Sequence, residues 1–163
     1  MSDSKQYSSK DLTACCGYYC GDCYRFQNKI MTLAGKLARE IENSEFDQYV
    51  RMKHKITAGN IHDISSYDQF KTFLSVIENI TRQECKTPCR AGSDGCEGAC
   101  PVKICVAGRE LEGCWECDEF ESCVKADFLK PIWGKALSQN IKQIKKHGID
   151  SWIPFRGKPY AWL

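Results

Sequence analysis

Closely spaced cysteines are the residues of this chain whose type and spacing most clearly imply chemistry. Four of the twelve cysteines lie between Cys15 and Cys23, eight lie between Cys85 and Cys123, and none occurs in the 61 residues between these groups. Thiols two to four residues apart can bind one ion from a single tight turn, because the backbone folds back over that distance. The pattern predicts metal sites that hold the fold together, and it does not predict a reaction.

The spacing motifs identify the candidate metal ligands. The first group contains C-x3-C-x2-C, and the second contains two C-x3-C pairs and one C-x2-C pair. The candidate ligands are Cys16, Cys20, Cys23, Cys85, Cys89, Cys96, Cys100, Cys105, Cys114, Cys117 and Cys123. Cys15 directly precedes Cys16, and we interpret it as a small buried hydrophobe because adjacent residues rarely bind one ion.

We expect these thiols to form two sites of four thiolates each. The ligands expected for them are Cys16, Cys20 and Cys23 in one turn, Cys114, Cys117 and Cys123 in another, and Cys100 and Cys105 completing the sites across the fold. Closed all-thiolate sites are typical of structural zinc, whereas catalytic zinc keeps an open position and usually has histidine or carboxylate ligands. The sequence therefore predicts about two zinc ions and favours a binding or adaptor module over an enzyme.

The expected compartment decides how the thiols are interpreted. Residues 1–10 are polar and carry no secretory pattern, and no stretch approaches the about 18 apolar residues of a membrane span. We expect a cytoplasmic protein with no membrane partner, in which thiols stay reduced and metal binding is favoured over disulfides. If the chain was cut from a precursor, a disulfide scaffold becomes an alternative interpretation of the cysteines.

Two further interpretations of the first cysteine group stay open. An iron–sulfur cluster needs only thiolates, and C-x3-C-x2-C is also the spacing of radical-generating clusters that use S-adenosylmethionine. That chemistry normally needs an α/β barrel, and the alternating strands and helices of a barrel are not evident here. Cys20-Gly21-Asp22-Cys23 resembles a redox dithiol, although no βαβ unit surrounds it. The alternative function is therefore a redox or metal-transfer protein.

Charge bears on the partners. The formal charge is +2, and two four-thiolate zinc sites of −2 each would change it to about −2, so we do not expect nucleic acid to bind. Residues 125–163 hold eight Lys or Arg and two Asp. The simpler interpretation of this excess of positive charge is a solvated helix face. The more specific interpretation is a surface that binds a protein or a small anionic ligand.

Hydrophobic periodicity predicts a mainly α fold with irregular cysteine-rich loops, which is a small helical domain held together by zinc knuckles. The expected segments of this single domain, 1–163, are a polar arm (1–12), a first cysteine knuckle (13–24), a three-helix segment (28–82), a cysteine-rich metal-binding segment (85–124), and a last helix with an aromatic tail (126–163).

Helix caps and apolar stripes predict where individual helices begin and which of their faces are buried. The predicted stripes are Ile30, Leu33, Ala34, Leu37, Ala38 and Ile41 in the first helix, Phe70, Phe73, Leu74, Ile77 and Ile80 in the third, and Leu137, Ile141 and Ile144 in the last. Ser44 is expected to begin the second helix, and Ser66 with Gln69 makes a capping box for the third. The last helix is expected from about Ala126 to Gly148, followed by an extended tail.

Taken together, these motifs resemble the cysteine-rich family known as domain of unknown function 3795. The resemblance rests on Cys16 to Cys23, Cys85 to Gly92, Cys100 to Cys105, Gly113 to Cys123 and Asn140 to Trp152. It implies small cytosolic bacterial or archaeal proteins with zinc sites, and it implies no particular activity.

Overall fold

A computed structural model describes residues 6–56, 66–92 and 99–157. Its helices are α1 (Tyr24–Gln27), α2 (Lys29–Asn43), α3 (Phe46–Ile56), α4 (Tyr67–Arg82), α5 (Pro101–Gly108), α6 (Lys130–Trp133) and α7 (Ala136–His147). Within these residues, β structure is limited to one isolated antiparallel bridge between Thr13 and Tyr19. The mainly helical class is confirmed, and none of the described helices is both long and apolar enough to cross a membrane.

The chain divides into two compact units. The first unit contains Met1–Phe26 and Cys85–Leu163, and the second contains Gln27–Glu84. The second unit is thus an insertion within the sequence of the first, and the cysteines all belong to the first unit.

In the second unit, α2 packs against α4, and Ile41, Val50 and Phe70 form a small buried cluster. The predicted stripes were too wide, because four of their members are exposed: Ile30, Leu33, Leu37 and Phe73, at 52%, 64%, 44% and 45%. One neighbouring helix covers only part of a helix circumference, so apolar residues at the flanks of the contact stay accessible.

The capping predictions for this unit had opposite outcomes. The Ser66 hydroxyl accepts a hydrogen bond from the Gln69 backbone N–H at 3.0 Å, which confirms the predicted cap of α4. The prediction for Ser44 was wrong, because its N–H and its hydroxyl both donate to the Glu40 carbonyl and end α2. Serine bonds readily to the carbonyl four residues before it, and Glu45, with φ of 52°, then separates α2 from α3.

In the first unit, α7 supplies the centre of the core. Leu137, Ile141 and Ile144 are buried, as their spacing predicted, and Gly148 ends the helix with φ of 76°. The single helix expected from Ala126 is divided, because a 3-10 segment, Val124–Leu129, precedes α6, and Gly134 at φ of 52° separates α6 from α7. A glycine tolerates that φ at little cost, whereas a continuous helix would require a negative value.

The tail returns to the N-terminal segment. Trp152 is fully buried and donates from Nε1 to Thr13 Oγ1 at 2.9 Å. The expected extended conformation was wrong for Ile153–Phe155, which form a 3-10 turn. The Arg156 guanidinium then forms a two-point ion pair with Asp22 at 2.9 and 3.1 Å, while residues 158–163 lie outside the described part.

A tight turn between residues 12 and 20 carries the first cysteine group. The Ala14 N–H donates to the Tyr18 carbonyl and the Cys20 N–H donates to the Leu12 carbonyl, both at 2.8 Å. Gly17 lies at the tip with φ of 82°, and its carbonyl accepts from Asn140 Nδ2 at 2.9 Å in the buried interior. The turn is therefore anchored directly on α7.

We expect Gly17→Ala to destabilise the fold by about 2–4 kcal/mol, because it combines an unfavourable positive φ with overpacking. A Cβ at this position would lie 2.8 Å from Ile141 Cγ1. Gly148→Ala is the matched control, since φ is also positive there but no atom lies within 4 Å of the added carbon. Urea unfolding of both variants measures the difference, and equal losses would contradict the role assigned to the Ile141 contact.

Candidate metal centre

The C-x2-C motif near the end of the second cysteine group forms a short 3-10 turn. This turn spans Cys114–Glu116, and the Cys117 N–H returns to the Cys114 carbonyl at 3.2 Å. Gly113 precedes the turn because a Cβ there would lie 2.3 Å from the ring of the buried Trp115. The local sequence thus brings the two thiols to one side of a compact, well-packed loop.

Four thiols border one small cavity of about 20 Å³: those of Cys105, Cys114, Cys117 and Cys123. Cys105 comes from α5, the next two come from the 3-10 turn, and Cys123 follows a second 3-10 turn. Val102, Val106 and Leu111 are among the apolar side chains that complete the wall. This volume accommodates about one water-sized sphere, which is also the scale of a single metal ion.

Cationic side chains lie against two of these sulfur atoms. Lys125 Nζ is 3.1 Å from Cys105 Sγ, and one Arg109 nitrogen donates to Cys117 Sγ at 3.6 Å while another pairs with Glu119 at 2.9 Å. A divalent ion with four thiolates carries a net charge of −2, which nearby N–H groups and cations stabilise. Sequence reasoning did not single out Arg109 or Lys125. The sequence signal that could have identified them is a basic residue within four positions of a clustered cysteine.

Burial keeps the innermost thiol protonated when no ion is bound. Desolvation, helped by the neighbouring thiols of Cys123 and Cys117, raises the pKa of Cys114 from 9.0 to about 12. Desolvation likewise raises the pKa of Cys16 far above its ordinary value. Because thiolates are the form that binds metal, ion binding at this cavity must displace protons from its thiols.

The raised thiol pKa predicts opposite pH dependence with and without metal. In the metal-free protein, the unfolded chain ionises first, so stability should be complete below about pH 9 and decline toward about pH 12. In the metal-loaded protein, protons compete with the ion, so stability should decline as the pH falls. Thermal unfolding midpoints measured across pH, with chelator or with zinc, test this. The same direction in both series would contradict it.

The thiols around the small cavity are not arranged as a metal coordination shell in this structure. Among the residues that the structure describes, no three Cys, His, Asp or Glu side chains are arranged as metal ligands. At the small cavity, two of the sulfurs meet Lys125 and Arg109. Rotation of the cysteine side chains around the existing cavity would be needed to bring four sulfurs to one ion.

The remaining predicted ligands fall into two further places. Cys20 and Cys23 share a turn near Cys85 and Cys89, and the Cys89 N–H donates to Cys20 Sγ at 3.4 Å. Cys15, Cys16 and Cys100 pack against the main core cluster, where Cys16 is electrostatically coupled to Cys114 and Cys100. Cys96 lies outside the described residues.

Cys16 and Cys20, which belong to the expected C-x3-C-x2-C knuckle, have different neighbours in the structure. Cys16 packs against both buried clusters and lies near Cys100 and Cys114, whereas Cys20 Sγ accepts a hydrogen bond from the Cys89 N–H. The turn at Gly17 separates them, because the chain reverses between the two cysteines. No disulfide joins any of the cysteines in the described part.

The fold and this site define a mainly helical, cysteine-rich protein with a small cavity bordered by four thiols. A family model described as "Protein of unknown function (DUF3795)" matches residues 12–128, which is more than half of the chain and contains every cysteine. The chain belongs to this family. The match ends before α7, so the closing helix is not part of it. No curated protein and no solved structure matches the chain.

Proposed function

We propose that the chain is a zinc-stabilised binding module, with one zinc ion held by Cys105, Cys114, Cys117 and Cys123. The observation that carries the proposal is that these four thiols border one cavity of about 20 Å³. Four sulfur donors suit the tetrahedral preference of zinc, and they leave no open position for a reacting water. The ion would therefore be structural.

Local structure around this cavity is consistent with a fold that depends on metal. Between α5 and α6, the chain contains only short 3-10 segments, and few of its side chains are fully buried. Such a segment has little apolar area with which to offset its conformational entropy, and a bound ion can supply the missing free energy. A reducing cytoplasmic location, which this chemistry requires, is part of the proposal.

A cleft beside the thiol cavity supports a binding role. Its volume is about 450 Å³, and Lys130, Lys135, Lys142 and Glu121 are its charged lining residues. Lys142 pairs with Glu121 at 3.5 Å and Lys130 pairs with Asp127, so the cleft has a net excess of positive charge that is partly neutralised. Phe120, Cys123 and Ala126 line both this cleft and the thiol cavity. We propose that the cleft binds a small anionic ligand, and that the ion holds Cys123 and the floor of the cleft in place.

The binding proposal is tested with zinc-loaded protein, inorganic phosphate and citrate in an NMR titration. The expected shifts are confined to the cleft, and K135A/K142A should weaken binding by about tenfold, which corresponds to about 1.4 kcal/mol. K145A/K146A is the matched control, because it removes the same charge from α7 at positions that do not line the cleft. Equal weakening by both variants would show attraction by net charge only and would contradict the cleft.

An iron–sulfur or dithiol redox protein is the second candidate. The Lys125 and Arg109 groups that donate to Cys105 and Cys117 are consistent with this candidate, because hydrogen bonds to sulfur also tune the reduction potential of iron–sulfur clusters. The small cavity favours a single ion over a cluster. Metal content and visible absorption of protein purified without oxygen distinguish them. Colourless protein with zinc supports the structural site, and brown protein with iron and sulfide would overturn it.

A further inference from the structure

A second C-x2-C turn has nearly the same backbone as the turn at the small cavity. The 3-10 segment Cys20–Asp22 ends where the Cys23 N–H returns to the Cys20 carbonyl at 3.0 Å. Cys23 has φ of −83° and ψ of 121°, and Cys117 has φ of −91° and ψ of 123°. The two turns therefore share the backbone conformation of their second cysteine and the same return hydrogen bond, while the residues that precede them differ.

Each turn also has a glycine, an aromatic ring and an arginine beside it, although the order along the chain differs. Gly21 lies between its two cysteines and follows Tyr19, whereas Gly113 precedes its cysteines and Trp115 lies between them. A Cβ on Gly21 or on Gly113 would lie 2.3 Å from an aromatic ring, which is Tyr19 at the first turn and Trp115 at the second. An arginine lies over each ring, with Arg156 4.6 Å from the centre of Tyr19 and Arg90 5.3 Å from the centre of Trp115. These shared contacts indicate that both turns are built to hold two thiols rigidly.

A second pair of cysteines lies near the first turn, although it comes from a distant part of the sequence. The Cys85 N–H donates to the Arg25 carbonyl at 3.0 Å, and the Cys89 N–H donates to Cys20 Sγ at 3.4 Å. The Cys85 thiol donates to the Thr87 carbonyl at 3.0 Å, a bond that ligation by Cys85 would replace. Cys20 and Cys85 are buried, at 4% and 9% exposed. Cys23 and Cys89 pack against the same buried cluster, which includes Leu137, and Cys16 packs against it as well.

We propose that Cys20, Cys23, Cys85 and Cys89 form a second, separate zinc site. Two short motifs, C-x2-C and C-x3-C, would each supply two thiolates, and binding would release up to four thiol protons per ion. A backbone N–H that already donates to Cys20 Sγ is the kind of contact that stabilises a ligating thiolate. The choice of zinc rests on the proposed function, whereas the ligand set is independent of it.

The position of this site gives it a distinct structural role. The chain leaves the first unit after Phe26 and returns to it at Cys85. An ion bound by Cys20, Cys23, Cys85 and Cys89 would join the two segments that flank the inserted second unit. Closing such a long loop through a metal restricts the unfolded chain more than closing a short one does.

Native mass spectrometry of zinc-loaded protein counts the ions directly. The wild type should carry two ions, C89S and C117S should each carry one, and C89S/C117S should carry none. C15S is the matched control and should retain two, because Cys15 belongs to neither ligand set. Cadmium NMR of the same variants should show that C89S and C117S lose different resonances.

The outcomes separate this inference from the proposed function. If C89S and C23S each retain both ions, the second site is overturned, whether or not C16S loses one of them. If only C89S loses an ion while C117S retains both, the second site stands and the small-cavity site fails. Should C89S not fold, C89H is used, because histidine still binds zinc, and it should shift only the resonance of the second site. Shifts of both resonances would overturn the proposal.

Discussion

Replacing Cys117 with serine is expected to release one zinc ion and to lower the free energy of unfolding by about 5 kcal/mol or more. Structural zinc contributes on the order of 10 kcal/mol in small metal-dependent domains, while a whole domain is stable by about 5–15 kcal/mol. Cys117 borders the small cavity together with three other thiols. A hydroxyl at this position is a poor zinc ligand, so the remaining thiols would hold the ion weakly.

Zinc content and urea unfolding, measured on the same preparations with and without chelator, check this expectation. S122A is a suitable control, because Ser122 is exposed and lies next to Cys123 but offers no thiol. Chelator should lower the stability of the wild type and of S122A at least to the level of untreated C117S, and further if a second ion is also removed. A C117S protein that keeps the zinc content and stability of the wild type would contradict the site.

Replacing Trp152 with alanine is expected to lower the free energy of unfolding by about 3–5 kcal/mol. Trp152 is fully buried among Val102, Val106, Ile141 and Ile144. Its Nε1–H donates to Thr13 Oγ1 at 2.9 Å, and Thr13 is also fully buried. The substitution would leave a large cavity and remove the bond that joins the tail to the N-terminal turn.

Three further variants separate packing from hydrogen bonding at Trp152. W152F keeps most of the ring and loses the donor, T13V loses the acceptor, and a double-mutant cycle should assign about 1 kcal/mol to the bond. F155A is the control for the tail, since Phe155 is 52% exposed, and its cost should stay below that of W152A. Equal losses for F155A and W152A in chemical denaturation would argue against a core role for Trp152.

Local signals allowed several elements to be predicted from the sequence. The cap of α4 depends on Ser66 and Gln69, which are three residues apart, and the end of α7 depends on Gly148 and Ile144, which are four apart. Interactions over such short separations form whenever the local backbone is helical, so residue type is sufficient to predict them. The same holds for the two C-x2-C turns, whose hydrogen bonds join residues three apart.

Other predictions failed because competing local or long-range contacts prevailed. Ser44 bonds to Glu40 and ends α2, although its type also suits the start of a helix. Leu33 and Phe73 carry the right spacing for a buried stripe but remain exposed, since periodicity shows that a face is apolar and not how much of it is covered. Gly134 divides the last helix, although the apolar pattern was also compatible with a glycine inside a continuous helix.

The sequence by itself determined that this is a helical, cysteine-rich chain, and it determined the two C-x2-C turns. Only the tertiary structure decided which turns meet. It places Cys105 with the turn of Cys114 and Cys117, and it brings Cys89 to Cys20 across 69 residues. The physical reason is that spacing along the chain defines local geometry, whereas the pairing of distant turns depends on how α7, Trp152 and the turn at Gly17 pack together.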